Sequence, residues 1–175
     1  MSNNSIAYEG KVSITFTKNG RKLKTIQRHN SGCKALFTFI TDCLRGNFNE
    51  SNRPSYLMMY KKDDEGSSDE VEYTSLGTPS LANLQYCVSN ESGYDEDSNT
   101  GFIKFKYIVA GSMLTNDVDI LAMYNATNSS TARQGDNNPS TFMELDSSEV
   151  IDKEGASGLN IIIIWEMRFS NKQGE

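Results

Sequence analysis

The sequence predicts a mainly β protein, an antiparallel two-sheet β-sandwich of about eight strands with one α-helix near residues 33–45. Three observations carry that expectation. Apolar and polar residues alternate over the first strand-length segment, and further apolar runs rich in aromatic and β-branched residues follow it. The runs are bounded by Gly, Asn, Ser and Asp, which favour turns. No helical pattern of crossover length separates them, so neighbouring strands are expected to pair antiparallel in two packed layers.

Val12, Ile14 and Phe16 alternate with Lys11, Ser13, Thr15 and Thr17, the period of a half-buried strand. Asn19-Gly20 tolerates positive φ at both central positions of a tight hairpin turn. In the returning strand Leu23 and Ile26 are out of phase, which predicts a bulge or an exposed edge. Ser31 offers a hydroxyl to the start of a helix whose apolar residues Leu36, Phe39, Ile40, Cys43 and Leu44 recur at three and four, and Gly46 stands where a left-handed cap is expected. Strand-length runs follow at 54–62, 81–89, 102–111, 118–126, 141–145 and 159–169. In the last, Ile161 to Ile164 are apolar on both faces, whereas Trp165, Met167 and Phe169 alternate with polar residues, as in a long strand central at its start. The 175 residues are the size of a single domain, 1–175, able to bury a core without disulfides or metal.

Cys33 and Cys43 lie about 15 Å apart on one helix, beyond disulfide reach, so with Cys87 they read as free thiols of a protein folded in a reducing cytoplasm. No secretory signal is visible at the N-terminus, and the longest apolar run, residues 159–165, is too short to cross a membrane. Charge is uneven: residues 1–34 carry +6 and the remainder −12, for a total of −6. An acidic chain whose basic residues are not interleaved with stacking aromatics is not expected to bind nucleic acid. Charges on an exposed hairpin also discourage edge pairing. The functional reading is self-complementarity, with Arg21, Lys22 and Lys24 as a candidate subunit interface meeting an acidic surface of a neighbour.

Chemistry has little to stand on. His29, the single histidine, has no nucleophile elbow near it, and neither it nor the cysteines show zinc-ligand spacing. The acidic stretches 61–72 and 91–101 invite a calcium reading. In the second, Asp95, Asp97 and Asn99 alternate as in an EF-hand, but Thr100 replaces the required Gly and Lys106 the bidentate Glu. Glu166 beside Trp165 is the best single acid, and an outward Glu in an alternating strand accounts for it. No enzyme, metal or cofactor is expected.

Two segments resemble small β-sandwich virion structural proteins of tailed bacteriophages. One is YEGKVSITFTKNGRKLKTIQRHNSGCKALFTFITDCLRGN, a hairpin passing through H-N-S-G into a helix. The other is FKYIVAGSMLTNDVDILAMYNA with MELDSSEVIDKEGASGLNIIIIWEMRFSN, closing on a long final strand. The resemblance spans roughly two-thirds of the chain and leaves out the acidic inserts. It implies a non-enzymatic component of a tail, collar, ring or head decoration, located in the virion and synthesised in the host cytoplasm. Its implied partners are other virion proteins and copies of itself. The alternative is a lectin-like β-sandwich stacking sugars on exposed tyrosines such as Tyr56, Tyr60, Tyr94 or Tyr124.

Overall fold

The computed structural model describes residues 5–32, 34–47, 54, 56–61, 84–86, 89–124 and 140–172. The acidic stretch 62–72, Cys33 and Cys87 lie outside the described residues. The protein is mainly β. The strands are β1 (Ser5–Lys18), β2 (Arg21–Gly32), β3 (Tyr56–Tyr60), β4 (Leu84–Tyr86), β5 (Ser89–Asp95), β6 (Thr100–Ala110), β7 (Ile120–Tyr124), β8 (Thr141–Glu144) and β9 (Asn160–Lys172). Two helices, α1 (Lys34–Leu44) and the single turn α2 (Lys153–Ala156), accompany them.

All nine strands belong to one antiparallel sheet in the order β4-β3-β7-β8-β2-β1-β9-β6-β5. The expected two separate sheets are thus one curled half-barrel. Its long-stranded half, β2-β1-β9-β6-β5, and its short-stranded half, β8-β7-β3-β4, are joined through the end of β2, where Ser31 pairs with Phe142 and Gly32 with Thr141. The curl brings β4 back against β6. Only residues 87–88 separate β4 from β5, so the two ends of the sheet meet within about 11 Å at that corner.

Burial explains the curl. On the core side the rows Phe105–Trp165–Val12, Tyr107–Ile163–Ile14–Ile26 and Val109–Ile161–Phe16 run across the long half. They form one cluster with Leu57, Met59, Leu121, Met123 and Met143 of the short half. A flat sheet would leave both apolar faces in water; folding one onto the other removes them at about 25 cal/mol per Å². As the run apolar on both faces predicts, β9 is a long strand in a central position, between β1 and β6, but its two faces are not equally covered. Ile161 and Ile163 are buried, whereas Ile162, opposite Ile108, is half-buried and Ile164, opposite Lys106, lies 38% exposed on the outer face. The strands buried on both faces are β3 and β7, where Tyr56, Met58, Ile120, Ala122 and Tyr124 are buried as well.

The first hairpin forms as its turn residues predict, with Asn19 at φ 51° and Gly20 at φ 77°. Pairing jumps from Phe16–Lys24 to Thr17–Lys22, so Leu23 is the bulged residue. At the other end β2 continues through Ser31 and Gly32, so Ser31 is a strand residue and α1 starts at Lys34. Gly46, at φ 77°, ends the helix. The Gly46 N–H donates to the Cys43 carbonyl (3.1 Å) and the Asn47 N–H to that of Asp42 (2.9 Å), a Schellman cap. The helix rests on the sheet by its first turns: Leu36 is buried, but Leu44 is 75% exposed.

One polar cluster lies inside the core. Asn30, buried on β2, accepts from Trp165 Nε1 (3.0 Å) and from the Lys11 backbone N–H (3.3 Å), and its amide nitrogen donates to the Tyr8 hydroxyl. Gly10, directly opposite Asn30, leaves the room: a Cβ there would lie 1.8 Å from the amide.

Candidate interaction surface

The outer face of the long half carries a row of alternating charge, Glu91–Lys104–Glu166–Lys11–His29, set by strand register. Ion pairs engage five residues of this face, while Glu91, Lys104 and Lys106 make none among the described residues. Lys11 meets Glu9 at 3.0 Å, Arg168 donates to Glu166 at 2.5 Å, and Arg168 lies 3.9 Å from Asp95. Glu166, the best single acid in the sequence, is therefore half-buried and committed to Arg168. His29 is exposed, facing Lys11 across the ladder. It helps line an open groove of about 460 Å³ with Lys11, Gln27, Ile164 and Glu166.

Two carboxyls here titrate below their usual range: Glu9, chiefly because Lys11 hydrogen-bonds it, and Asp95, because the Ser98 side chain and then its backbone N–H do so. A carboxyl whose folded pKa is depressed contributes stability that is complete above its unfolded value and is lost as pH falls through the folded one. Thermal stability is therefore expected to hold from neutral pH to about pH 5 and to decline below about pH 4. Asp95→Asn should make that acid decline shallower. Melting curves across pH check this; a loss already under way above about pH 5 would overturn it.

The hairpin end has no such ion pairs among the described residues. Lys18, Arg21, Lys22 and Lys24 are all exposed, and among the described residues Arg21, Lys22 and Lys24 make no ion pair. The three sequence-predicted residues thus stand together just past the Asn19-Gly20 turn. They also stand at a free margin: among the described residues β2 is paired on its outer edge only at Ser31 and Gly32. The chain leaving β8 passes near this edge without joining it. Leu145 donates its N–H to Asp119, Val118 and Ile151 form an isolated bridge, and Asp146 and Glu149 each hold Arg28 at 2.6 Å. Between this segment and β2 lies a slot of about 220 Å³ with apolar walls of Phe16, Leu23, Ile151, Ala156 and Leu159. Lys24 and Glu149 line it too.

The stretch 91–101, read from sequence as a failed calcium loop, is the rest of β5, a turn and the start of β6. Asp95 accepts from the N–H groups of Asp97 and Ser98 (3.2 and 3.3 Å), Asn99 takes φ 50°, and the Tyr94 hydroxyl donates to Asn99. Its small polar residues serve turn geometry, in which Asp and Asn bond their own backbone. Among the described residues no group of three His, Cys, Asp or Glu is placed to hold a metal ion, and no helix is long and apolar enough to cross a membrane. Cys43 is a free, half-buried thiol. Of the tyrosines considered for sugar stacking, Tyr56 and Tyr124 are buried and Tyr94 is 60% exposed; the Tyr60 side chain lies outside what is described. Compared with known proteins, this chain matches no protein-family model, no curated protein and no solved structure.

Proposed function

We propose that this protein is a non-enzymatic structural component of a tailed-phage virion, in a tail, collar, ring or head decoration. Its subunits associate through the basic hairpin of one copy and an acidic surface of the next. The observation that carries the reading is the contrast in charge compensation. On the outer face of the long half Glu9, Lys11, Asp95, Glu166 and Arg168 are held in ion pairs, whereas Arg21, Lys22 and Lys24 stand exposed together and unpaired among the described residues at an open strand edge. Exposed charges of this kind contribute little to the stability of a monomer, but they steer and select a charged partner. The reading is supported by a mainly β fold whose curled sheet encloses a single apolar core.

Reversal of Arg21, Lys22 and Lys24 to Glu is expected to weaken self-association about tenfold or more while leaving the fold intact. Raising salt from about 0.05 to 0.5 M should weaken the wild type in the same direction, because the Debye length shrinks to a few ångströms. The variant should respond less to salt. Sedimentation velocity at several salt concentrations, with circular dichroism as the folding control, measures both effects. Equal association of the two proteins at low salt would overturn the reading.

A further inference from the structure

The long half of the sheet has a second open margin. Among the described residues β5 pairs with β6 alone, and Asn90 to Tyr94 are all exposed. Its charge is the opposite of that on β2. Glu91 and Asp95 lie on the strand, Glu96 and Asp97 in the turn beyond it, and residues 89–99 contain no Lys or Arg. Residues 21–27 of β2 contain no Asp or Glu. Lysines on an edge strand ordinarily guard against pairing. That guard repels like or neutral edges and favours an acidic one, so the same residues select a partner as well as exclude others.

We propose that copies of this chain join edge to edge, β5 of one copy pairing with Arg21–Gln27 of β2 in the next, so that the sheet continues across the subunit boundary. This rests on the assembly reading above and names the two surfaces that meet. The topology fixes the direction of the join. β2 and β5 are four antiparallel steps apart in the sheet and so run the same way. A neighbour added with its core side on the same side of the sheet therefore presents β2 parallel to β5. The two surfaces differ, so the contact is heterologous and repeats from copy to copy, closing into a ring or extending as a filament according to its rotation.

The side chains agree with that direction. Tyr94, opposite Gly101, lies on the row that continues through Phe169 to Tyr8, which is the core side of the long half. Lys24, opposite Phe16, is on the core side of β2, and the apolar slot opens beside it. The join thus presents the exposed Tyr94 ring of one copy toward the slot walled by Leu23, Ile151, Ala156 and Leu159 in its neighbour.

The test uses two variants of the full chain, R21E/K22E/K24E and E91K/E96K/D97K, the second sparing Asp95 because it caps its turn. Each alone should lose self-association about tenfold or more, and an equimolar mixture should regain assemblies of alternating composition in sedimentation velocity. Amide exchange at residues 22–27 and 89–95 should slow in the wild-type assembly relative to dilute monomer. An assembling wild type with no rescue by mixing, and no slowing at 89–95, would overturn the edge pairing and leave the assembly reading standing. A wild type that stays monomeric at all concentrations would overturn both.

Discussion

Replacing Trp165 by alanine is expected to lower the unfolding free energy by about 3–5 kcal/mol, the range for deleting a buried aromatic and leaving a cavity. Trp165 is fully buried on β9 between Val12 of β1 and Phe105 of β6, at the middle of the long half. Its ring also serves the Asn30 amide, whose oxygen loses a donor when the indole goes. A buried acceptor left short of a partner costs about 1–3 kcal/mol by itself. Trp165→Phe retains most of the volume but removes the N–H, so it should fall between wild type and alanine. Urea unfolding followed by circular dichroism measures both. An unchanged midpoint for the alanine variant would place the ring outside the core.

Gly111→Ala should cost about 3 kcal/mol, the upper end of the range for forcing atoms into packed space. Gly111 opens the 3-10 turn after β6, and its N–H donates to the Leu159 carbonyl at 2.8 Å. A Cβ there would lie 1.8 Å from the backbone oxygen of Ala156. No rotamer change relieves a clash with main chain, so the turn must separate from α2, pulling on the entry to β9. Gly158→Ala is the control, because nothing lies within 4 Å of a Cβ at that position, and it should be neutral or slightly stabilising. Equal melting temperatures for the two variants would show that the close approach is not maintained in solution.

The sequence disclosed most where local chemistry and burial act together. Asn19-Gly20, the alternation of Val12, Ile14 and Phe16, and Gly46 each meet a backbone requirement at their own position. β5 escaped because an edge strand exposed on both faces has no apolar pattern, and its turn uses the same small polar residues as an ion-binding loop. The run of four isoleucines pointed to a central strand, and β9 is central between β1 and β6, yet one of its faces meets solvent. Asn30 stood out in the sequence only as part of the H-N-S-G passage from hairpin to helix, because its burial depends on Gly10, Tyr8 and Trp165, none of them a sequence neighbour. The continuity of the sheet rests on two residue pairs at Ser31 and Gly32, which no local pattern encodes. Of the candidate surface, the basic cluster was legible from charge alone. The open margin of β2 was foreshadowed by the phase break at Leu23, but the slot beside it required the fold.

The place of β9 has a consequence for how the molecule is made. It lies between β1 and β6, pairing along nearly the whole of each, yet it is synthesised after every other described strand. Until it arrives, two long apolar ladders stand open, and the pairs that close the one with β1, from Ser5–Lys172 to Thr17–Asn160, join residues about as far apart in sequence as this chain permits. Such non-local pairing makes for slow folding and a prolonged aggregation-prone interval. Refolding yield should therefore fall steeply with protein concentration, and a nascent chain that stalls before residue 160 becomes a client for chaperones rather than a partly useful product.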